Sequence, residues 1–170
     1  TFPIAERTVM LPCPANSDLW VTADRAPRLL VEAPGIRWQA EVEVVTRGGA
    51  NTVTGLAMYQ DRANWLIWGV LSDGTLDVGG LLGGSPRPSL IHVSWPATRL
   101  RVVRDGFTYE FHALVEGEWR RAGRFDDVAG ELAADPRVGL IAKSWRGSAG
   151  FDAAFSGWEC VALPEAEEGP

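Results

Sequence analysis

Between Thr98 and Phe125 the sequence TRLRVVRDGFTYEFHALVEGEWRRAGRF alternates apolar and polar positions and is cut by Asp105-Gly106 and Glu116-Gly117. In its middle segment Phe107, Tyr109, Phe111 and Ala113 fall on one face, with Thr108, Glu110, His112 and Leu114 on the other. This is the period-two signature of a half-buried strand. Asp-Gly supplies the positive backbone dihedrals of a tight hairpin at little steric cost. The stretch predicts a three-stranded antiparallel meander, with the rest of the chain packed around it as further strands.

The same alternation recurs elsewhere. Val9 to Leu11 predicts an edge strand ending near Pro12, and residues 19–22 and 28–32 predict short strands. Trp38, Ala40, Val42 and Val44 oppose Arg37, Gln39, Glu41 and Glu43 in a long strand that Gly48-Gly49 ends. Residues 52–60 and 65–71 form a hairpin by spacing, joined by the polar turn Asp61 to Asn64. Residues 75–94 hold two Gly-Gly pairs and Ser85-Pro86-Arg87-Pro88; they predict a loop or irregular excursion with one or two short strands, a place where ligand contacts often sit. A helical turn is expected only over Asp126 to Asp135, kept short by Gly130. Residues 138–145 and 151–163 supply the last strands. About a dozen short strands with almost no helix is the pattern of an all-β sandwich.

Length and charge then narrow the picture. A chain of 170 residues fits one domain and buries roughly 70% of its unfolded surface, so it needs no covalent staple. We expect a lead-in over residues 1–17, the sandwich over 18–163, and an acidic tail of linker composition over 164–170. The sequence opens at Thr1 without the layout of a signal peptide; with the tail, this suggests a processed form or a piece of a longer protein, tethered to another domain. The net charge of −6, with arginines scattered among acids, lacks the basic footprint of a nucleic-acid or anionic-membrane binder. No apolar run reaches the length of about 20 residues that spans a bilayer, so membrane insertion is not expected. Cys13 and Cys160 are the only cysteines. They are either a disulfide joining the terminal strands, which would favour an extracellular setting, or two small buried thiols, which would favour the cytoplasm.

Several runs carry a resemblance. Thr54-Gly55-Leu56-Ala57-Met58-Tyr59-Gln60-Asp61-Arg62-Ala63-Asn64-Trp65-Leu66, Arg99 to Gly106, Tyr109-Glu110-Phe111 with Trp119, Val138-Gly139-Leu140-Ile141-Ala142 and Phe151-Asp152-Ala153-Ala154-Phe155 resemble the concanavalin A-like jelly rolls. The pattern is similar to the uncharacterised "regulation of enolase" family and to the C-terminal sandwich of some β-xylosidases. It covers residues 18–163, and its motifs are structural. Where that family has a Ser-x-Asp-Gly turn before the tryptophan, this chain has Val115-Glu116-Gly117-Glu118-Trp119. The resemblance implies two antiparallel sheets with a concave face. If that face bears Glu41, the topology implies Tyr59, Trp68, Arg101, His112 and Trp145 as its neighbours, with Lys143 close by.

Such a face suits carbohydrate, because a sugar ring lays its apolar C–H side on an indole while amides, carboxylates and guanidinium groups read the hydroxyls. A glycan-binding, non-catalytic accessory module is therefore the leading expectation. The eight tryptophans divide between platforms and core, with Trp38, Trp65, Trp119 and Trp158 assigned to the core, where Trp68 and Trp145 are alternative members. A glycosidase reading would need Glu41 or Glu43 to act with Glu110 at the separation of roughly 5 to 9 Å that such pairs use; the laminarinase-type string Glu-x-Asp-x-x-Glu is absent. A third reading is a protein-interaction or structural domain with no small ligand. His92 and His112 lack partners at zinc spacing. Asp73, Asp77, Asp126 and Asp127 leave open an oxygen site for calcium, although turn-forming aspartates need no ion. No nucleophile elbow, phosphate loop or dinucleotide fingerprint occurs.

Overall fold

The computed structural model of the chain describes residues 7–132 and 136–165. Within them the alternating segments are the strands β1 (Val9–Cys13), β2 (Leu19–Trp20), β3 (Ala23–Asp24), β4 (Arg28–Glu32), β5 (Arg37–Thr46), β6 (Thr52–Asp61) and β7 (Asn64–Leu71), followed by β8 (Leu76–Leu82), β9 (Ser85–Val93), β10 (Arg99–Asp105), β11 (Thr108–Val115), β12 (Glu118–Asp126), β13 (Arg137–Ser144) and β14 (Phe151–Ala162). A back sheet runs β1-β14-β5-β10-β11-β12, a front sheet runs β4-β13-β6-β7-β8-β9, and β2 and β3 form a small ribbon. The fold is a jelly-roll β-sandwich. Among the described residues no helix is long and apolar enough to cross a membrane.

The core follows from the alternation. Trp38, Ala40 and Val42 of β5, Leu100 and Val102 of β10, and Tyr109, Phe111 and Ala113 of β11 pack against Leu56, Met58, Leu66, Trp68 and Val78 of the front sheet. Burial of these side chains is the main force holding the sheets together. One directional bond crosses the same gap: the Trp68 indole N–H donates to the His112 carbonyl at 2.9 Å.

Three expectations about the strands and turns need correction. Phe107 is 61% exposed, because Asp105 pairs with Thr108 and the two-residue turn is Gly106-Phe107, with Gly106 at φ 63°. The glycine-rich excursion is a regular hairpin, β8 and β9, turned by Gly83 and Gly84 at φ 58° and 74°. Gly80 belongs inside β8 because a Cβ there would lie 2.0 Å from the Trp65 carbonyl oxygen. Pro86 and Pro88 are tolerated because β9 is the outermost strand of its sheet.

Residues 127–132 are turn and irregular backbone with no helix: Gly130 adopts φ 71°, and the buried Asp127 carboxylate accepts the N–H groups of Glu131 and Leu132 at 2.9 and 2.8 Å. Residues 133–135 of the expected helical turn, and the tail beyond Glu165, lie outside the described residues.

Both cysteines are free thiols. The terminal strands do pair, but Cys13 stands opposite Phe151 while Cys160 stands opposite Ala40 on β5. The length of β14 between those points is on the order of 25 Å, far beyond the reach of a disulfide. The link from these cysteines to an oxidising compartment falls with it.

Candidate functional site

Odd-numbered residues of β6, β7, β8 and β13 face away from the core, and they build a second apolar layer on the front sheet. Val53, Ala57, Tyr59, Trp65, Ile67, Leu81 and Ile141 are buried there beneath Leu19 and Ala26, with Trp20 and Trp145 packed alongside. The β2–β3 ribbon therefore roofs one half of this face. The other half is a trough. Ile141, Gly55, Gly69 and Asp77 lie side by side across four strands, and the side chains of Val53 and Ile67 settle over Gly69, where a Cβ would meet them at 2.6 and 3.4 Å. Gly55 cannot be filled, since a Cβ would come within 2.2 Å of the Trp68 carbonyl oxygen.

The trough is a cavity of about 430 Å³, floored by Val53, Ile67 and Leu71. Asp18 and Trp20 from the ribbon, Lys143, Trp145 and Arg146 stand around it with Asp77 and Pro88. Lys143 is central. Its Nζ donates to the Leu19 carbonyl at 3.1 Å and pairs with Asp18 Oδ1 at 3.2 Å. It also lies 5.0, 5.5 and 4.9 Å from the ring centres of Trp20, Trp65 and Trp145, a cation–π arrangement. Burial pushes the Lys143 pKa down from the ordinary lysine value, against the opposing pull of Asp18.

An ammonium has three N–H donors, and two are used. Asp18 Oδ1 also accepts the Leu19 N–H at 2.8 Å, and among the described residues no protein group donates to Oδ2. On the far side Asp77 Oδ1 meets His92 Nδ1 at 3.3 Å. The Trp145–Ser148 turn is fixed from both sides: Trp145 N–H donates to the Asn51 carbonyl at 3.0 Å, Asn51 Nδ2 to the Arg146 carbonyl at 3.2 Å, and Gly147 N–H to Asn16 Oδ1 at 3.2 Å.

The residues expected to share one face are divided among three places. Lys143 and Trp145 line the cavity. Tyr59 is on the same sheet face but only 6% exposed, covered by the guanidinium of Arg28 at 4.5 Å. Trp68 points the other way and is wholly buried in the core, because even-numbered residues of β7 face inward. Glu41, Arg101 and His112 lie on the outer face of the back sheet, on the opposite side of the molecule, in register across β5, β10 and β11. There Arg101 contacts Glu41 Oε1 through Nε at 2.7 Å and Nη2 at 2.5 Å, and stacks 3.8 Å from the centre of the Trp119 ring. Trp119 is thus on a surface and not in the core; Trp38 and Trp65 are buried, and Trp158 packs against the core.

The carboxylates of the glycosidase reading are each engaged. Glu41 is held by Arg101, Arg99 and Gln39, Glu43 accepts from the Thr98 hydroxyl at 2.5 Å, and Glu110 pairs with Arg121 at 2.8 Å. Two strands and two residues separate Glu110 from Glu41, on the order of 12 Å between α-carbons. The four aspartates considered for calcium do not assemble. Among the described residues no three His, Cys, Asp or Glu side chains converge as ligands; Asp73 caps Thr75, Asp126 holds Thr108 and Arg124, and Asp127 serves its own turn.

Sequence reasoning passed over Asp18, Trp20 and Arg146, and considered Asp77 only as a calcium ligand. Asp77 alternates with Leu76 and Val78, a signal that marks it as outward-facing. Asp18 and Trp20 carry no such signal, because a two-residue strand is too short for a period.

No family model matches the sequence, and no curated protein matches it. Solved structures are similar in fold. A functionally unknown protein from Saccharomyces cerevisiae is 22% identical with a TM-score of 0.74, over 95% of this chain and 94% of that one. GH43B of the Bacteroides ovatus xyloglucan PUL is 18% identical with a TM-score of 0.75, over 92% of this chain and 33% of that one. Xylan beta-1,4-xylosidase from Bacillus halodurans is 16% identical with a TM-score of 0.65, over 88% and 32%. The chain thus spans about a third of the length of the two GH43 and xylosidase chains and nearly all of the yeast protein.

Proposed function

We propose that this chain is a non-catalytic carbohydrate-binding module, working as an accessory domain of a larger protein, and that its site is the trough on the front sheet. The observation that carries this reading is the pairing of the half-buried Trp145 and Trp20 indoles with Lys143 and Asp18 around one apolar floor. Indole faces take the C–H side of a pyranose, while the third N–H of Lys143 and Oδ2 of Asp18 offer a donor and an acceptor to its hydroxyls. A volume of about 430 Å³ lies within the range of small-molecule sites and suits one or two sugar rings. The reading's place beside the "regulation of enolase" family rests on the strand motifs alone.

Two of the chains with this fold carry xyloglucan and xylan in their names, so oligosaccharides of these two polymers belong first on a glycan array with the purified chain. Binding is expected to fall at least tenfold in Trp145→Ala and to persist in Trp119→Ala, whose ring lies on the other sheet under Arg101. A folded protein that binds no glycan would remove this reading.

A further inference from the structure

The charges around the trough are not balanced group for group. Lys143 is neutralised by Asp18, and Asp77 faces His92. Arg146 lines the mouth, and among the described residues its guanidinium has no ion-pair partner. Its backbone is nevertheless fixed at φ 42°, with its carbonyl held by Asn51. The protein holds the base of this side chain in one place and leaves its forked end for something else.

Taking the glycan reading as its premise, we propose that the trough accepts a hexuronic acid residue at the end of a sugar chain, with the ligand carboxylate bound by Arg146. The rest of the lining restricts the anion. Asp18 and Asp77 both line the site, and among the described residues no protein group donates to the Oδ2 of either, so the ligand has to bring hydroxyls to them; two carboxylates would repel a phosphate or a fatty acid that has none. Trp20 and Trp145 require an apolar face. A pyranose ring bearing one carboxylate supplies all three: C–H face, hydroxyl donors and a planar anion matched to the guanidinium fork. The net charge of −6 does not oppose this at short range, because exposed charges are screened beyond about 8 Å at physiological salt.

The test is calorimetric titration of the full chain and of Arg146→Gln with methyl β-D-glucuronide and methyl β-D-glucoside, each a mimic of a chain end. The uronide is expected to bind the native chain about tenfold more tightly than the glucoside, with the advantage shrinking as salt is raised. Arg146→Gln should abolish that advantage; the residue is exposed, so the substitution does not threaten folding. Equal binding of both glycosides, unaffected by the substitution, overturns the uronate assignment and leaves the glycan reading standing. Binding of neither by folded protein overturns both.

Discussion

Lys143 Nζ and Asp18 Oδ1 lie 3.2 Å apart, their side chains 11% and 22% exposed, and they tie the β2–β3 ribbon to the centre of the front sheet. The two halves of such a pair are unequal under mutation. Asp18→Asn strands a buried ammonium and is expected to cost about 2 kcal/mol, less than the 3–5 typical of a fully buried pair. Lys143→Met keeps the packing among the tryptophans and removes the charge, so it should stay within about 1 kcal/mol of the native chain. Urea unfolding of the two variants checks the asymmetry, and a stable Asp18→Asn with a failing Lys143→Met would contradict it.

Trp68 is a structural residue by this geometry. Trp68→Phe retains the ring and loses the bond to the His112 carbonyl, for an expected loss of about 1–2 kcal/mol; Trp68→Ala opens a cavity and should lose about 3–5 kcal/mol. Neither is expected to alter the glycan affinity proposed for the trough in protein that remains folded, which titration of the Phe variant would show.

Burial holds the His112 pKa below its ordinary value of 6.5, partly offset by Glu110, while Arg101 and Arg121 push the same way as burial. The unfolded chain then binds more protons than the native one between the depressed value and 6.5. Stability therefore rises with pH through that window and is fully present above 6.5. His112→Gln should flatten this acid limb, measurable as melting temperature against pH from 4.5 to 7.5. An unchanged slope would show that other groups set it.

Gly139 marks where β13 and β4 meet. A Cβ there would fall 1.8 Å from the Leu29 carbonyl oxygen, a backbone atom that no rotamer change can remove. Gly139→Ala is expected to cost roughly 3 kcal/mol and to loosen β4 first, seen as faster amide exchange at Leu30. Gly49→Ala, which meets nothing within 4 Å, is the matched control and should be near neutral.

Two unbonded thiols imply an intact mass that reductant does not change. Burial pushes the Cys160 pKa up to about 11 and raises that of Cys13 against a lowering bond to Ser144. At pH 8 a thiol with such a pKa is only about one part in a thousand thiolate. Both should react slowly with Ellman's reagent in the native chain and at once in guanidinium. Fast native labelling of either would contradict the burial described.

The sandwich was legible because strand burial repeats with period two, and β5, β10 and β11 keep that period over eight or so residues. The site was legible only in part. Lys143 stands out as a charged residue at the end of a mostly apolar strand, with Trp145 just beyond it, yet period two says only that neighbours alternate, not which of a sandwich's two outer faces a strand serves. That ambiguity put Glu41, Arg101 and His112 beside Lys143, when a whole sandwich separates them. Trp68 shows the same limit: Trp65 and Trp68 lie three apart on one strand, so they take opposite sides, and nothing local tells which side is the core. The β8–β9 hairpin was obscured because glycine and proline mark turns in most settings; here they serve close strand approach at Gly80 and an unpaired edge at Pro86 and Pro88.

Those two prolines on β9 have a consequence for how the molecule keeps its own company. An outer strand offers a row of N–H and C=O groups on which a foreign strand can crystallise, and each proline deletes a donor from that row. The sheet that carries the trough is thereby denied growth along the rim where Pro88 forms part of the wall. Copies of this chain crowded together would keep the trough clear of one another.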